Sequence, residues 1–230
     1  MLAARVRSGL EETFHDGAVA VSDPDGPLVA WSGDIDRPFY LRSSAKPFQS
    51  FVSQVSGAGL QPIELAVASA SHGGHPVQIA LVESILGRMG LTEGDLRCPK
   101  DCPLSRTARD QLIRGGETQS RLFEAMHRYP ALASGNGEGD TAIATATNSA
   151  PKGGALGCIG IGLKSGLGLV VKSWDGRNVM AEVAAVATFD ALGRLPGAAL
   201  ETLKDVARPP QMGGGEMRGV AESRMELKFT

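Results

Sequence analysis

The chain is poor in aromatic residues: two Trp, two Tyr and seven Phe, 5% of 230 residues. So few flat rings leave little with which to stack the bases of a nucleic-acid strand. Excess charge is lacking too. Twenty-three Lys and Arg stand against 25 Asp and Glu, a formal net charge of −2, which gives no footprint for nucleic acid or an anionic membrane. No apolar run approaches the roughly 20 residues of a membrane-spanning helix. The opening Met1-Leu2-Ala3-Ala4-Arg5-Val6-Arg7 has no long apolar stretch behind its charges and does not read as a secretory leader. Cysteine is scarce: Cys98, Cys102 and Cys158 form an odd set without disulfide-scaffold spacing. No His pair stands at zinc-finger spacing. The expectation is a reduced, cytoplasmic protein without a metal or another cofactor.

What is present is ordinary globular material, 42% hydrophobic and 21% charged, enough to bury a sizeable core. Gly17 to Val21 and Leu28 to Trp31 are β-prone runs around the turn signal Asp23-Pro24-Asp25-Gly26. Helical spacing follows over Ala45 to Val55, where Phe48, Phe51, Val52 and Val55 recur, and over Pro62 to Ala70. Pro76 opens a third helix with Val77, Leu81, Ile85 and Met89 as its expected buried stripe and Gly90 as its stop. Ser105 to Arg114 reads as a Ser-capped helix, and Arg121 to His127 as another. Gly154 to Gly162 and Gly166 to Ser173 suggest a second antiparallel pair. Val179 to Leu192 is an Ala-rich helix, Arg208 to Gly215 a linker, and Met225 to Phe229 holds a last short strand. This order predicts an α+β fold, an antiparallel sheet with flanking helices, in one domain spanning 1–230. His15 and His127 read as surface or turn residues, and Trp31 and Trp174 as packing residues at strand ends.

Ser43-Ser44-Ala45-Lys46 carries the chemistry. At a helix start, Ser-x-x-Lys puts hydroxyl and amine on one face, one turn apart. The helix N-terminus favours a developing negative charge. A partly buried Lys there can lose its proton near neutral pH and serve the Ser as a base. Ser71-His72-Gly73 and Lys152-Gly153-Gly154 follow. Their order parallels the Ser-x-x-Lys, Ser-Asp-Asn and Lys-Thr-Gly elements of penicillin-binding proteins and class A β-lactamases. The logic is a nucleophile–base pair, a second hydroxyl to relay the proton, and a second lysine beside an edge strand.

Longer strings resemble the bacterial L-asparaginase II family. They are Phe14-His15-Asp16-Gly17-Ala18-Val19, Phe39-Tyr40-Leu41-Arg42-Ser43-Ser44-Ala45-Lys46-Pro47-Phe48-Gln49 and Ala68-Ser69-Ala70-Ser71-His72-Gly73-Gly74. Further along, they are Met126-His127-Arg128-Tyr129-Pro130, Lys152-Gly153-Gly154-Ala155-Leu156-Gly157 and Gly168-Leu169-Val170-Val171-Lys172-Ser173-Trp174-Asp175-Gly176. The resemblance implies hydrolysis of L-asparagine to aspartate and ammonia. It also implies a fold similar to the serine β-lactamase and glutaminase group, and a homodimer. Ser43 would be the nucleophile, Lys46 its base, Ser71 the second hydroxyl and Lys152 the second lysine. Arg42 would help hold a substrate carboxylate, with His72 beside Ser71. The Ser43 backbone N–H is the natural oxyanion donor.

The resemblance is interrupted. The family's Asn-Cys-Ser-Gly-Lys-His and Asp-Gly-Cys-Gly blocks, which supply zinc ligands in its metal-binding members, are absent. Gly115 to Ser120 reads as the lead-in and Arg121 to Met126 as the resumption. The chain therefore reads as truncated in the middle, with an internal deletion near 120–121. Leu156 also stands where an acidic residue is usual. Two other readings follow: a catalytically inactive homologue that binds an amino acid or only dimerises, and a hydrolase of β-lactams or peptides.

Overall fold

The structure, a computed structural model, describes all residues except 71, 98–99, 104, 117–148, 155–156, 163–164, 176–177, 196 and 214. For 106, 149–154, 158, 178 and 200 the backbone alone is described. The chain divides into two compact units, Met1–Ser44 with Gly137–Thr230, and Ala45–Asn136.

The first unit holds two antiparallel sheets. β1 (Ala3–Arg7) and β2 (Leu10–His15) form a hairpin. Its turn residues Ser8 and Gly9 have φ of +50° and +80°, the left-handed pair whose twist suits a two-residue hairpin loop. β2 is exposed at every position but His15, so no apolar–polar alternation marks it as a strand. β3 (Gly17–Ser22) and β4 (Leu28–Ser32) form the expected second hairpin. Asp23 Oδ1 accepts from the Asp25 N–H at 2.9 Å in its turn.

Next come β5 (Ser149–Gly154), β6 (Gly157–Gly162) and β7 (Gly168–Ser173). Helices α5 (Asn178–Ala191) and α6 (Gly197–Ala207) separate them from β8 (Pro210–Gly213), β9 (Glu216–Ser223) and β10 (Lys228–Phe229). One sheet runs β2-β1-β9-β8; the other runs β10-β4-β3-β7-β6-β5. The last strand does join the β3–β4 hairpin, but the chain builds two sheets where one was expected. The supposed linker at 208–215 is partly the edge strand β8. Proline is tolerated on an edge, and Gly215, at φ +84°, turns the chain into β9.

α5 explains why two sheets share a core. It packs on β6 and β7 of one sheet, on β1 and β9 of the other, and on α6. Met180, Ala181, Val183, Ala184, Ala185 and Val186 are all at most 1% exposed. Around them lie Leu2 and Ala221 from one sheet, Val19, Val21, Ala30 and Val171 from the other, and Leu203 from α6. A helix apolar on most of its sides is mostly buried, and alanine lets both sheets approach closely.

The second unit is helical: α1 (Lys46–Ser53), α2 (Pro62–Ser69), α3 (Pro76–Arg88) and α4 (Arg106–Arg114). Pro47, Pro62 and Pro76 occupy first turns, where the missing N–H costs nothing. Ser105 caps α4 by accepting from the Ala108 N–H at 3.3 Å. The buried stripe of α3 differs from the expected one. Val82 and Ile85 are inside, while Val77 is 67% and Met89 45% exposed. Ile79, Val82, Ile85 and Leu86 fit an i, i+3 stripe as well as the expected residues fit i, i+4, so spacing alone does not choose. α1 is turned the other way from its apolar pattern. Phe48, Phe51, Val52 and Val55 are exposed, and Lys46 and Ser50 are buried. The helix expected over 121–127 lies outside the described residues.

Candidate active site

In the helical unit the first residue of α1, Lys46, is 2% exposed. Few lysines are so buried, and here the apolar residues of the same helix face outward. Ser50, one turn on, fixes α1 against α2. Its Oγ donates to the Pro47 carbonyl at 3.0 Å and lies 2.6 Å from Ser69 Oγ, which donates to the Leu65 carbonyl at 2.8 Å. α2 ends at Ser69, and the chain passes through Ala70 and Ser71, the latter outside the described residues, to His72.

His72 is 4% exposed, and among the described residues neither of its buried ring nitrogens has a partner at hydrogen-bond geometry. Its pKa falls to about 4, first through burial and second through Lys46; the Val67 backbone opposes this more weakly. The ring is therefore neutral at physiological pH. The following loop is tied down where the Gly73 carbonyl accepts from Ser105 N–H at 2.9 Å. Gln78 Oε1 accepts from the N–H groups of Gly74 and His75 at 3.1 and 3.0 Å, opening α3. Glu64, 4% exposed, accepts from Arg88 through Nε at 3.1 Å and Nη2 at 2.5 Å, joining α2 to α3.

Arg42 to Ala45 form a 3₁₀ turn, and the Ser44 N–H donates to the Leu41 carbonyl at 3.1 Å. Ser43 is half-buried and Ser44 buried. Arg42 has φ +50°, a region that non-glycine residues enter rarely and often near functional sites.

Lys152 lies on the edge strand β5, opposite Ile159 of β6; its side chain lies outside what is described. Sequence reasoning assigned no role to Lys172 of β7, which is 4% exposed. Its Nζ donates to the Ser173 carbonyl at 2.5 Å. The same Nζ lies 5.7 Å from the Phe39 ring centre and 5.4 Å from that of Trp174. The two rings meet edge to face at 6.1 Å, and Arg37 lies over Trp174 at 4.5 Å. Burial, then Arg37, then Arg42 lower the Lys172 pKa, and Asp175 opposes them. The signal available in the sequence was a lysine inside the apolar run Leu169-Val170-Val171.

His15 is not a surface residue. It is 6% exposed and pairs through Nδ1 with Asp175, while Nε2 lies 3.3 Å from Thr13 Oγ1. Ser173 Oγ donates to the other Asp175 oxygen at 2.5 Å. His127 lies outside the described residues, as does Leu156.

Two groups of candidate residues thus emerge: Lys46 with His72 in the helical unit, and Arg42 with Lys172 in the sheet unit. Among the described residues no three of His, Cys, Asp and Glu gather in a way that suits a metal ion. No described helix is long and apolar enough to cross a membrane.

These features define an α+β protein with a buried lysine and a neutral histidine on neighbouring helical segments. The sequence profile of the L-asparaginase II family matches residues 3–124 and 117–223. The chain belongs to that family, whose members are asparaginase-like amidohydrolases acting on small molecules. No curated protein matches the chain.

Proposed function

We propose that the chain releases ammonia from L-asparagine through a serine–lysine acyl-enzyme. The observation that carries this reading is Lys46, 2% exposed at the first position of α1, three residues after the half-buried Ser43. In the reaction, Ser43 Oγ adds to the side-chain amide carbon and its proton passes to Lys46. The tetrahedral intermediate collapses, and the leaving nitrogen takes that proton and departs as ammonia. Water then adds to the ester carbon, freeing aspartate and restoring the Ser43 hydroxyl. The Ser43 N–H supplies an oxyanion donor. Ser71 relays protons, Lys152 steadies charge from the edge strand, and Arg42 and His72 bind substrate. No metal enters this scheme. The remaining elements of the reading are a serine β-lactamase-like and glutaminase-like fold, one domain over 1–230, a cytoplasmic setting and a homodimer.

A second reading has one observation in its favour. The family profile matches in two pieces that overlap at 117–124, which supports a central segment missing near 120–121. A chain that lost part of its substrate wall would fold, dimerise or bind an amino acid without turnover. The test is ammonia release from L-asparagine by the 230-residue chain, with Ser43→Ala as control. Release that needs Ser43 supports the first reading; a folded chain that binds asparagine and releases nothing supports the second. Hydrolysis of a chromogenic β-lactam would point instead to a peptide or β-lactam hydrolase.

A further inference from the structure

The stretch that leads to Ser43 is held to the sheets by its side chains, not by its backbone. From Gly33 to Leu41 the chain forms neither helix nor strand. Among the described residues, Asp34 to Tyr40 make no hydrogen bond or ion pair. Two of them make ring contacts instead. Phe39 meets Trp174 edge to face at 6.1 Å, and the Arg37 guanidinium lies over the same indole at 4.5 Å. Both kinds of contact have a preferred geometry, so they fix position as well as attract.

Trp174 is itself firmly set. Its backbone N–H donates to the Asp16 carbonyl at 2.8 Å. On one side of it Ser173 Oγ donates to Asp175 Oδ1 at 2.5 Å, and on the other Asp175 pairs with the buried His15. The indole is thus anchored both on the end of β7 and on the connection between β2 and β3. Beyond Phe39 the packing is close. Phe39, Leu41 and Ser44 share with Ile159 and Lys172 a crevice of about 10 Å³, room for about one water molecule. Arg42 lies within this stretch at φ +50°, and a backbone in that region persists only where its surroundings over-determine it. Ser43 follows directly, four residues after Phe39.

We infer that Trp174, through Phe39 and Arg37, positions the turn that presents the Ser43 hydroxyl and backbone N–H to substrate. The inference rests on the amidohydrolase reading above and adds three positioning residues to it. They act through the backbone of residues 39–43. A nucleophile displaced by about 1 Å loses on the order of a hundredfold in rate. Such a loss arises in the chemical step, so it falls on kcat and leaves KM.

Phe39→Leu and Arg37→Gln each remove one ring contact at an exposed side chain, Phe39→Tyr keeps the ring, and Trp174→Leu removes both contacts. Melting temperatures establish that each variant folds. Ammonia release from L-asparagine gives kcat and KM. Labelling of Ser43 by phenylmethanesulfonyl fluoride, followed by intact mass with Ser43→Ala as the blank, reads the placing of the hydroxyl without L-asparagine. Phe39→Leu is expected to lower kcat and the labelling rate about tenfold or more at unchanged KM. Arg37→Gln should act in the same sense but less, Trp174→Leu more, and Phe39→Tyr should keep most of both rates. If Trp174→Leu does not fold, the two exposed positions carry the test. Parent rates in folded Phe39→Leu overturn the inference, as does a loss confined to KM or an equal loss in Phe39→Tyr. Slower labelling in Phe39→Leu with no ammonia release from any chain keeps the positioning role and removes the asparaginase reading. Ser43-dependent release that Phe39→Leu leaves unchanged does the reverse. A parent that neither releases ammonia nor labels at Ser43 removes both.

Discussion

Lys46 and His72 share one buried neighbourhood of the helical unit, and a charge on either makes a charge on the other costly. Burial contributes most to keeping the imidazole neutral and the lysine adds to it, which brings the His72 pKa to about 4. A neutral imidazole can donate one hydrogen bond and accept another without changing charge.

Stability should therefore fall in acid. The His72 pKa is 6.5 in the unfolded chain and about 4 in the folded one, so between these values the unfolded state binds more protons. The sign of the linkage makes stability full above 6.5 and lost as pH falls towards 4, on the order of 3 kcal/mol across the window. Urea unfolding at steps from pH 7.5 to 4 reads this slope, and His72→Gln should flatten it. Lys46→Met removes one of the two causes, so the His72 resonance should titrate at higher pH in NMR.

Ser43→Ala should abolish ammonia release while moving the melting temperature little, since the side chain is only half-buried and loses a single oxygen. Turnover that survives in Ser43→Ala would take the nucleophile role from it. Lys46→Met should be equally inactive, with the same assay of ammonia release as its check.

Arg88→Ala should destabilise the helical unit by ~1.5–3 kcal/mol, the usual worth of hydrogen bonds to a charged group. It would strand Glu64, which is 4% exposed and receives two of the Arg88 nitrogens. Glu64→Gln should cost less, since Arg88 is 41% exposed at its side chain and can turn to water. Denaturant midpoints for the two variants give the order.

Gly17→Ala should separate β3 from β7. A Cβ there would meet the Lys172 carbonyl oxygen at 2.1 Å and Leu2 Cδ2 at 2.8 Å, and backbone cannot yield as a side chain does. The expected loss is ~1–3 kcal/mol or more, with a change in Trp174 fluorescence because β7 must shift. A stability equal to the parent would show that the two strands separate freely.

Local punctuation made most elements legible. Asp23-Pro24-Asp25-Gly26 marked the β3–β4 hairpin, the prolines marked three helix starts, and Ser105 marked α4. What stayed hidden was decided by tertiary partners. β2 shows five exposed residues in a row, so pairing with β1 rather than patterning makes it a strand. α6 was not expected, although Ala199, Leu203, Val206 and Ala207 recur at helical spacing and the last three pack on the core around α5. The stripe of α3 and the reversed face of α1 turn on which helix side meets a neighbour, and periodicity is silent on that. In the site, Ser-x-x-Lys drew attention to Lys46, but the burial of Lys172 arises from rings at 39 and 174, far apart in the chain.

The pairing of β1 with β9 sets a timetable for synthesis. Val6 sits opposite Val220, and Gly17 to Ser22 opposite Ser173 to Gly168. At ~5–20 residues per second, a ribosome needs on the order of 10–40 s to travel from the first of these strands to its last partner. For that interval the amino-terminal hairpins wait with open edges and no α5 to cover them, while the helices of residues 46–114 emerge and can settle among themselves. Chaperones that shield unpaired strands should therefore matter most for the first 32 residues, and crosslinking of stalled nascent chains would catch them there.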